Sequence, residues 1–70
     1  MKLSARNSLK GTAKKVIPGA VNSEVIIELP GGEQITSIVT NDAISALAIV
    51  EGKTVYAIIK ASNVMLGVDH

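Results

Sequence analysis

The stretch Val21-Asn22-Ser23-Glu24-Val25-Ile26-Ile27-Glu28-Leu29 decides the fold, because it alternates well. Val21, Ser23, Val25, Ile27 and Leu29 share one face, and Asn22, Glu24, Ile26 and Glu28 share the other. This period of two predicts a strand with one face on a core. Pro30-Gly31-Gly32 breaks it with turn chemistry, and Gln34-Ile35-Thr36-Ser37-Ile38-Val39-Thr40, dense in β-branched residues, returns as a partner strand. Upstream, Leu9 to Val16 reads as a first strand that stops at Ile17-Pro18-Gly19. Downstream, Thr40-Asn41-Asp42 supplies helix-capping residue types. The spacing of Ala43, Ile44, Leu47 and Ala48 predicts a short helix of about two turns with those residues on its buried side. Glu51-Gly52-Lys53 makes a polar turn, Val55 to Ile59 a fourth strand, and Val64 to Val68 a last one. Short strands at near-regular spacing with one helix predict an all-β fold, a small five-stranded Greek-key barrel of the OB kind.

Seventy residues allow one domain, spanning 1–70. A core of that size supplies about 3 to 5 kcal/mol of net stability, and small chains gain more from disulfides, metals or association. The chain has no cysteine, yet 47% of its residues are hydrophobic and its mean hydropathy is +0.39. Part of that apolar surface is expected between subunits of a homo-oligomer. The formal charge is +1, from seven Lys and Arg against six Asp and Glu, so no broad field attracts nucleic acid or a membrane. The apolar runs Val25 to Ile27 and Ala46 to Val50 are too short to span a bilayer, and no secretory apolar region follows Met1. A cytoplasmic protein is the expectation.

The inventory also argues against an enzyme. The single histidine is terminal His70, and no residue could activate a serine hydroxyl. The six carboxylates, Glu24, Glu28, Glu33, Asp42, Glu51 and Asp69, have no cation-loop spacing and read as solvated surface. An OB-type nucleic-acid binder needs aromatic rings in a basic groove, and this chain has only Tyr56, expected to be partly buried. Hydrogen-bond donors remain: Ser4 and Arg6, Thr36 and Ser37, and Lys60 with Ser62. Taken singly, each has an ordinary explanation as tail, strand former or strand end.

In combination these donors carry a resemblance. Ser4-Ala5-Arg6-Asn7 with Leu9-Lys10-Gly11, then Ile35-Thr36-Ser37-Ile38, then Ile59-Lys60-Ala61-Ser62-Asn63-Val64-Met65 is similar, from end to end, to the Mop (molbindin) family. Each string is weakly specific alone, but three in order and spacing are not. The resemblance implies a five-stranded OB-like barrel, dimers arranged as a hexamer, and molybdate or tungstate held at subunit contacts for storage or buffering. Similar modules regulate repressors and transporter ATPases, and with no such segment attached a stand-alone form is implied. Relatives often carry glycine just after the short helix, where this chain has Ala48. Lys2 stands where a small polar residue is frequent. The rival reading is a structural or protein-interaction module with no anion ligand.

The residue types suit the implied ligand. Molybdate is a tetrahedral dianion whose oxygens only accept hydrogen bonds, so its site should offer donors and no carboxylate. Sulfate has the same charge and shape but is smaller, so rejecting it requires a rigid cavity. Arg6 and Lys60 would compensate charge, and Ser4, Thr36, Ser37 and Ser62 would donate hydroxyls. The backbone N–H groups of Ala5 and Ala61 would fill gaps. The family's second class of site points to the turn Gly19, Val21 and Asn22, which reads equally as a plain hairpin turn.

Overall fold

A computed structural model describes residue 1 and residues 4–69, so Lys2 and His70 lie outside the described residues. In chain order the elements are β1 (Asn7–Ile17), β2 (Asn22–Glu28), β3 (Gln34–Thr40), α1 (Asn41–Ala46), β4 (Thr54–Ile59) and a short 3-10 turn at Ala61–Asn63. The strands form one antiparallel sheet in the order β3-β2-β1-β4. The alternation over β2 is borne out: Ser23, Val25 and Ile27 are buried, and Glu24, Ile26 and Glu28 only half so.

Strand β1 is the spine of the sheet. Its first half, Asn7 to Thr12, pairs with β4, and its second half, Thr12 to Ile17, pairs with β2. The switch needs a close approach at Gly11. A Cβ there would meet the Glu28 carbonyl oxygen and Ile27 Cγ2, both at 2.7 Å. Two residues on, the register jumps from Ala13↔Ile27 to Lys15↔Ile26, leaving Lys14 as the extra residue of a β-bulge. Such a bulge bends its strand and increases the local twist, which curls the sheet around a core of Ala13, Val25, Ile27 and Ala57. Leu29, Ile35, Val39, Ile44, Ile49 and Val55 pack against that core.

The helix begins as the capping residues predict, with the Thr40 side chain accepting a hydrogen bond from the Ala43 N–H at 3.1 Å. It buries less than expected. Ala43 and Ile44 turn inward, but the helix ends at Ala46, so Leu47 (62% exposed) and Ala48 fall outside the buried face. Ala48 takes the left-handed conformation, φ 52°, that glycine would adopt without steric cost. The Lys53 ammonium closes this turn, donating to the carbonyls of Leu47 at 2.6 Å and Ala48 at 3.1 Å. Alanine thus keeps the loop geometry that its presence called into question.

The expected fifth strand is absent among the described residues, and the sheet has four strands. Residues 64–69 are extended but unpaired, with Met65, Leu66 and Val68 at least 90% exposed. A strand needs a neighbour to satisfy its backbone, and the chain leads this segment away from its own sheet. The OB-like barrel is consequently an open half-barrel, with β3 and β4 as free edges.

Candidate oxyanion site

Strands β1 and β4 are antiparallel, so the start of one lies beside the end of the other, and Asn7↔Ile59 is the outermost pair of their ladder. Beyond it the chain diverges into two arms, Ser4-Ala5-Arg6 on one side and Lys60-Ala61-Ser62 on the other. An open cleft of about 700 Å3 lies between them, completed by Ile58 and Asn63. The second arm is shaped by the 3-10 turn, in which the Asn63 N–H donates to the Lys60 carbonyl at 2.8 Å. In such a turn the first N–H groups, those of Ala61 and Ser62, have no acceptor inside it.

The electrostatics are simple. Arg6 and Lys60 are exposed, the cleft lining contains no carboxylate, and among the described residues no acidic group pairs with either cation. The ion pair that does form, Lys14 to Glu28 at 2.6 Å, belongs to the middle of the sheet. There the Lys14 ammonium, by hydrogen bond and by charge, holds the Glu28 carboxyl below its ordinary pKa. Other depressions on the molecule suit an anion less well. One beside Gly11 and Pro30 includes Glu28, and one holding Lys14 and Lys15 includes Glu51.

The structure brings together two of the three predicted donor segments. Thr36 and Ser37 sit on β3, the opposite edge of the sheet from β4, and neither lines the cleft. They also point to opposite faces. Thr36 is exposed, whereas Ser37 is half-buried on the inner face beside Val25, Val39 and Ile49. Asn63 and Ile58 were missed as lining residues. Asn63 lies inside the Ile59-to-Met65 motif, and Ile58 follows from the alternation of Val55 to Ile59. Tyr56, on the same face of β4 as Ile58, is 47% exposed, a partly buried ring as expected.

The second candidate site, at Gly19, Val21 and Asn22, is an exposed turn held from behind by Asn41. The Asn41 side chain donates to the Gly19 carbonyl at 2.9 Å, its backbone N–H donates to the Val21 carbonyl at 2.9 Å, and the buried Ser23 hydroxyl donates to its Oδ1. The turn folds so tightly that a Cβ on Gly19 would collide with the Asn22 carbonyl.

Comparison with known proteins places this architecture. Residues 3–66 match the family model described as the TOBE domain. Molybdenum-pterin-binding protein 3 of Clostridium pasteurianum is 44% identical over 66 residues, covering 94% of this chain and 97% of that protein. The chain belongs to the TOBE-domain family, in its Mop branch. The Mop chain also matches molybdenum transport protein ModE of Herbaspirillum seropedicae at 50% identity, over 96% of its own length but only a quarter of ModE. A crystal structure of the cytoplasmic molybdate-binding protein ModG with molybdate bound superimposes with a TM-score of 0.94 at 52% identity. That match covers 99% of the Mop chain and 49% of the ModG chain. The half-barrel is therefore the OB-like fold of Mop domains, with four strands paired within the chain.

Proposed function

We propose that this chain binds molybdate, and tungstate as its near-isostere, in the cleft between the Ser4–Arg6 and Lys60–Ser62 arms, as a storage or buffering protein of the cytoplasm with no catalytic role. The observation that carries the reading is the composition of that cleft. Two cations with no acidic partner among the described residues, two serine hydroxyls and the backbone of the 3-10 turn line it without a carboxylate. An acceptor-only dianion is the ligand such a donor set matches. The names of the relatives point the same way: Mop proteins are called molybdenum-pterin-binding, and ModG was crystallised with molybdate. The cytoplasmic description of ModG supports the proposed compartment. Among the described residues no helix is long and apolar enough to cross a membrane.

The working form is a homo-oligomer, a hexamer built as a trimer of dimers. Its support is the incompleteness of the single chain. A cleft of about 700 Å3 is far larger than one tetrahedral anion, which fills the space of only a few waters at roughly 30 Å3 each. Moving a dianion out of water costs several kcal/mol per charge unless most of its oxygens find donors, and the cleft is walled on two sides only. A second copy supplies what is lacking. Its exposed Thr36, with the free backbone of edge strand β3 and its neighbour Ser37, provides the third donor segment. The apolar residues 64–68 provide a fifth strand. The turn at Gly19, Val21 and Asn22 is the second, weaker anion position.

Calorimetric titration of phosphate-free protein with molybdate, with sulfate and phosphate in parallel and light scattering on the same sample, tests the reading. Saturable molybdate binding to an oligomer with little heat from sulfate is expected. A folded protein that gives no molybdate response turns the search to protein partners.

A further inference from the structure

We infer that Asn7 is a positioning residue for the cleft: its side chain sets the spacing of the two donor arms and thereby the preference for the larger oxyanion over sulfate. The inference rests on the oxyanion reading above. Asparagine is depleted in strands, yet it opens β1, where a β-branched residue would serve the ladder better. Its side-chain N–H donates to the Ile59 carbonyl at 3.2 Å, between two half-buried residues that are 52 positions apart in sequence. This side-chain crossbar joins the last paired residue of each strand. The next residue on one side is Arg6 and on the other is Lys60, the two cations of the cleft.

Asn7 does not line the cleft, so it acts through the arms and makes no contact with the ligand. Both arms are exposed, and among the described residues no hydrogen bond joins one to the other beyond this point. Their separation is therefore set by the Asn7–Ile59 crossbar and the backbone pair it reinforces. Sulfate and molybdate differ chiefly in size, so a cleft held open at one width favours the larger ion, while loosened arms can close on the smaller one. Loss of the crossbar then weakens molybdate binding and narrows the gap between the two anions.

The test is competitive titration of wild type, Asn7→Ala and Asn7→Gln with molybdate and sulfate. The alanine variant should lose roughly twofold to tenfold in molybdate affinity, the worth of one hydrogen bond, with sulfate affinity unchanged or higher. Glutamine keeps the amide donor on a longer arm and should recover part of the discrimination. Amide hydrogen exchange on the same variants should speed up in the terminal β1–β4 pairs, Asn7 to Leu9 and Ala57 to Ile59, while protection at Val25 and Ile27 holds. An equal loss for both anions, unchanged discrimination, or protection lost throughout the sheet would each overturn the positioning role while leaving molybdate binding intact. Wild type that ignores molybdate removes the oxyanion reading, and this inference with it.

Discussion

The two ends of the β3–β2–β1–β4 sheet are built on opposite principles. At the β2–β3 end, seven consecutive register pairs run from Asn22↔Thr40 to Glu28↔Gln34, and Asn41 ties the adjoining turn to the helix. At the β1–β4 mouth the ladder stops at Asn7↔Ile59, and the chain continues on both sides without a partner. One region is locked by an unbroken ladder and carries two of the four core side chains, Val25 and Ile27. The other carries the charged donors and leaves them exposed. A chain this small keeps its paired, core-forming residues apart from its exposed donors, which lie where pairing stops.

Changes in the two regions should therefore separate. The largest effect is expected from Ile27→Ala, which empties a core position that is 5% exposed. Such truncations cost about 3 kcal/mol, comparable with the whole net stability of a core this size, so denaturant unfolding should show the variant largely unfolded unless it is assembled. Next comes Lys60→Ala at the mouth. Removing a charge-assisted contact should weaken molybdate binding roughly 10- to 100-fold in calorimetry, with the thermal midpoint nearly unchanged. A Lys60 variant that unfolds, or an Ile27 variant that folds normally, would break the division.

Smaller effects sharpen the comparison. Ala48→Gly relieves a left-handed residue and should raise stability by about 0.5–1 kcal/mol in chemical denaturation, the steric gain partly offset by glycine's greater freedom when unfolded. Molybdate affinity should not move. The smallest effect is electrostatic. Because Lys14 lowers the Glu28 pKa in the folded chain, the pair contributes stability above the carboxyl's unfolded pKa and loses it as pH falls through the folded value. Glu28→Gln should flatten that part of the acid unfolding curve.

Legibility in the sequence follows the same division. The β2–β3 hairpin and the helix start are local, written in alternation, in Pro30-Gly31-Gly32 and in the Thr40 cap, and they appear as read. Residues 64–68 carry a strand pattern but find no neighbour in their own sheet, and no local pattern reveals where a strand's partner comes from. For Thr36 and Ser37 the period-two rule already implies opposite faces, and so they lie, Thr36 exposed and Ser37 half-buried. Ala48 is the converse case. The glycine frequent in relatives argued against alanine in that turn, but the Lys53 ammonium, five residues on, donates to the Leu47 and Ala48 carbonyls and closes it. The cleft itself was foreshadowed by Ser4, Arg6, Lys60 and Ser62, whose closeness depends on the β1–β4 register and on no local signal.

The long span of that register sets an order of events for the newly made chain. The β2–β3 hairpin closes a short loop and can form early, whereas Asn7 and Ile59 must meet across a separation of 52 positions. The mouth is thus the last part of the sheet to zip. A chain that has not finished folding presents its two arms far apart, and only a completed one can offer an oxyanion both cations at once.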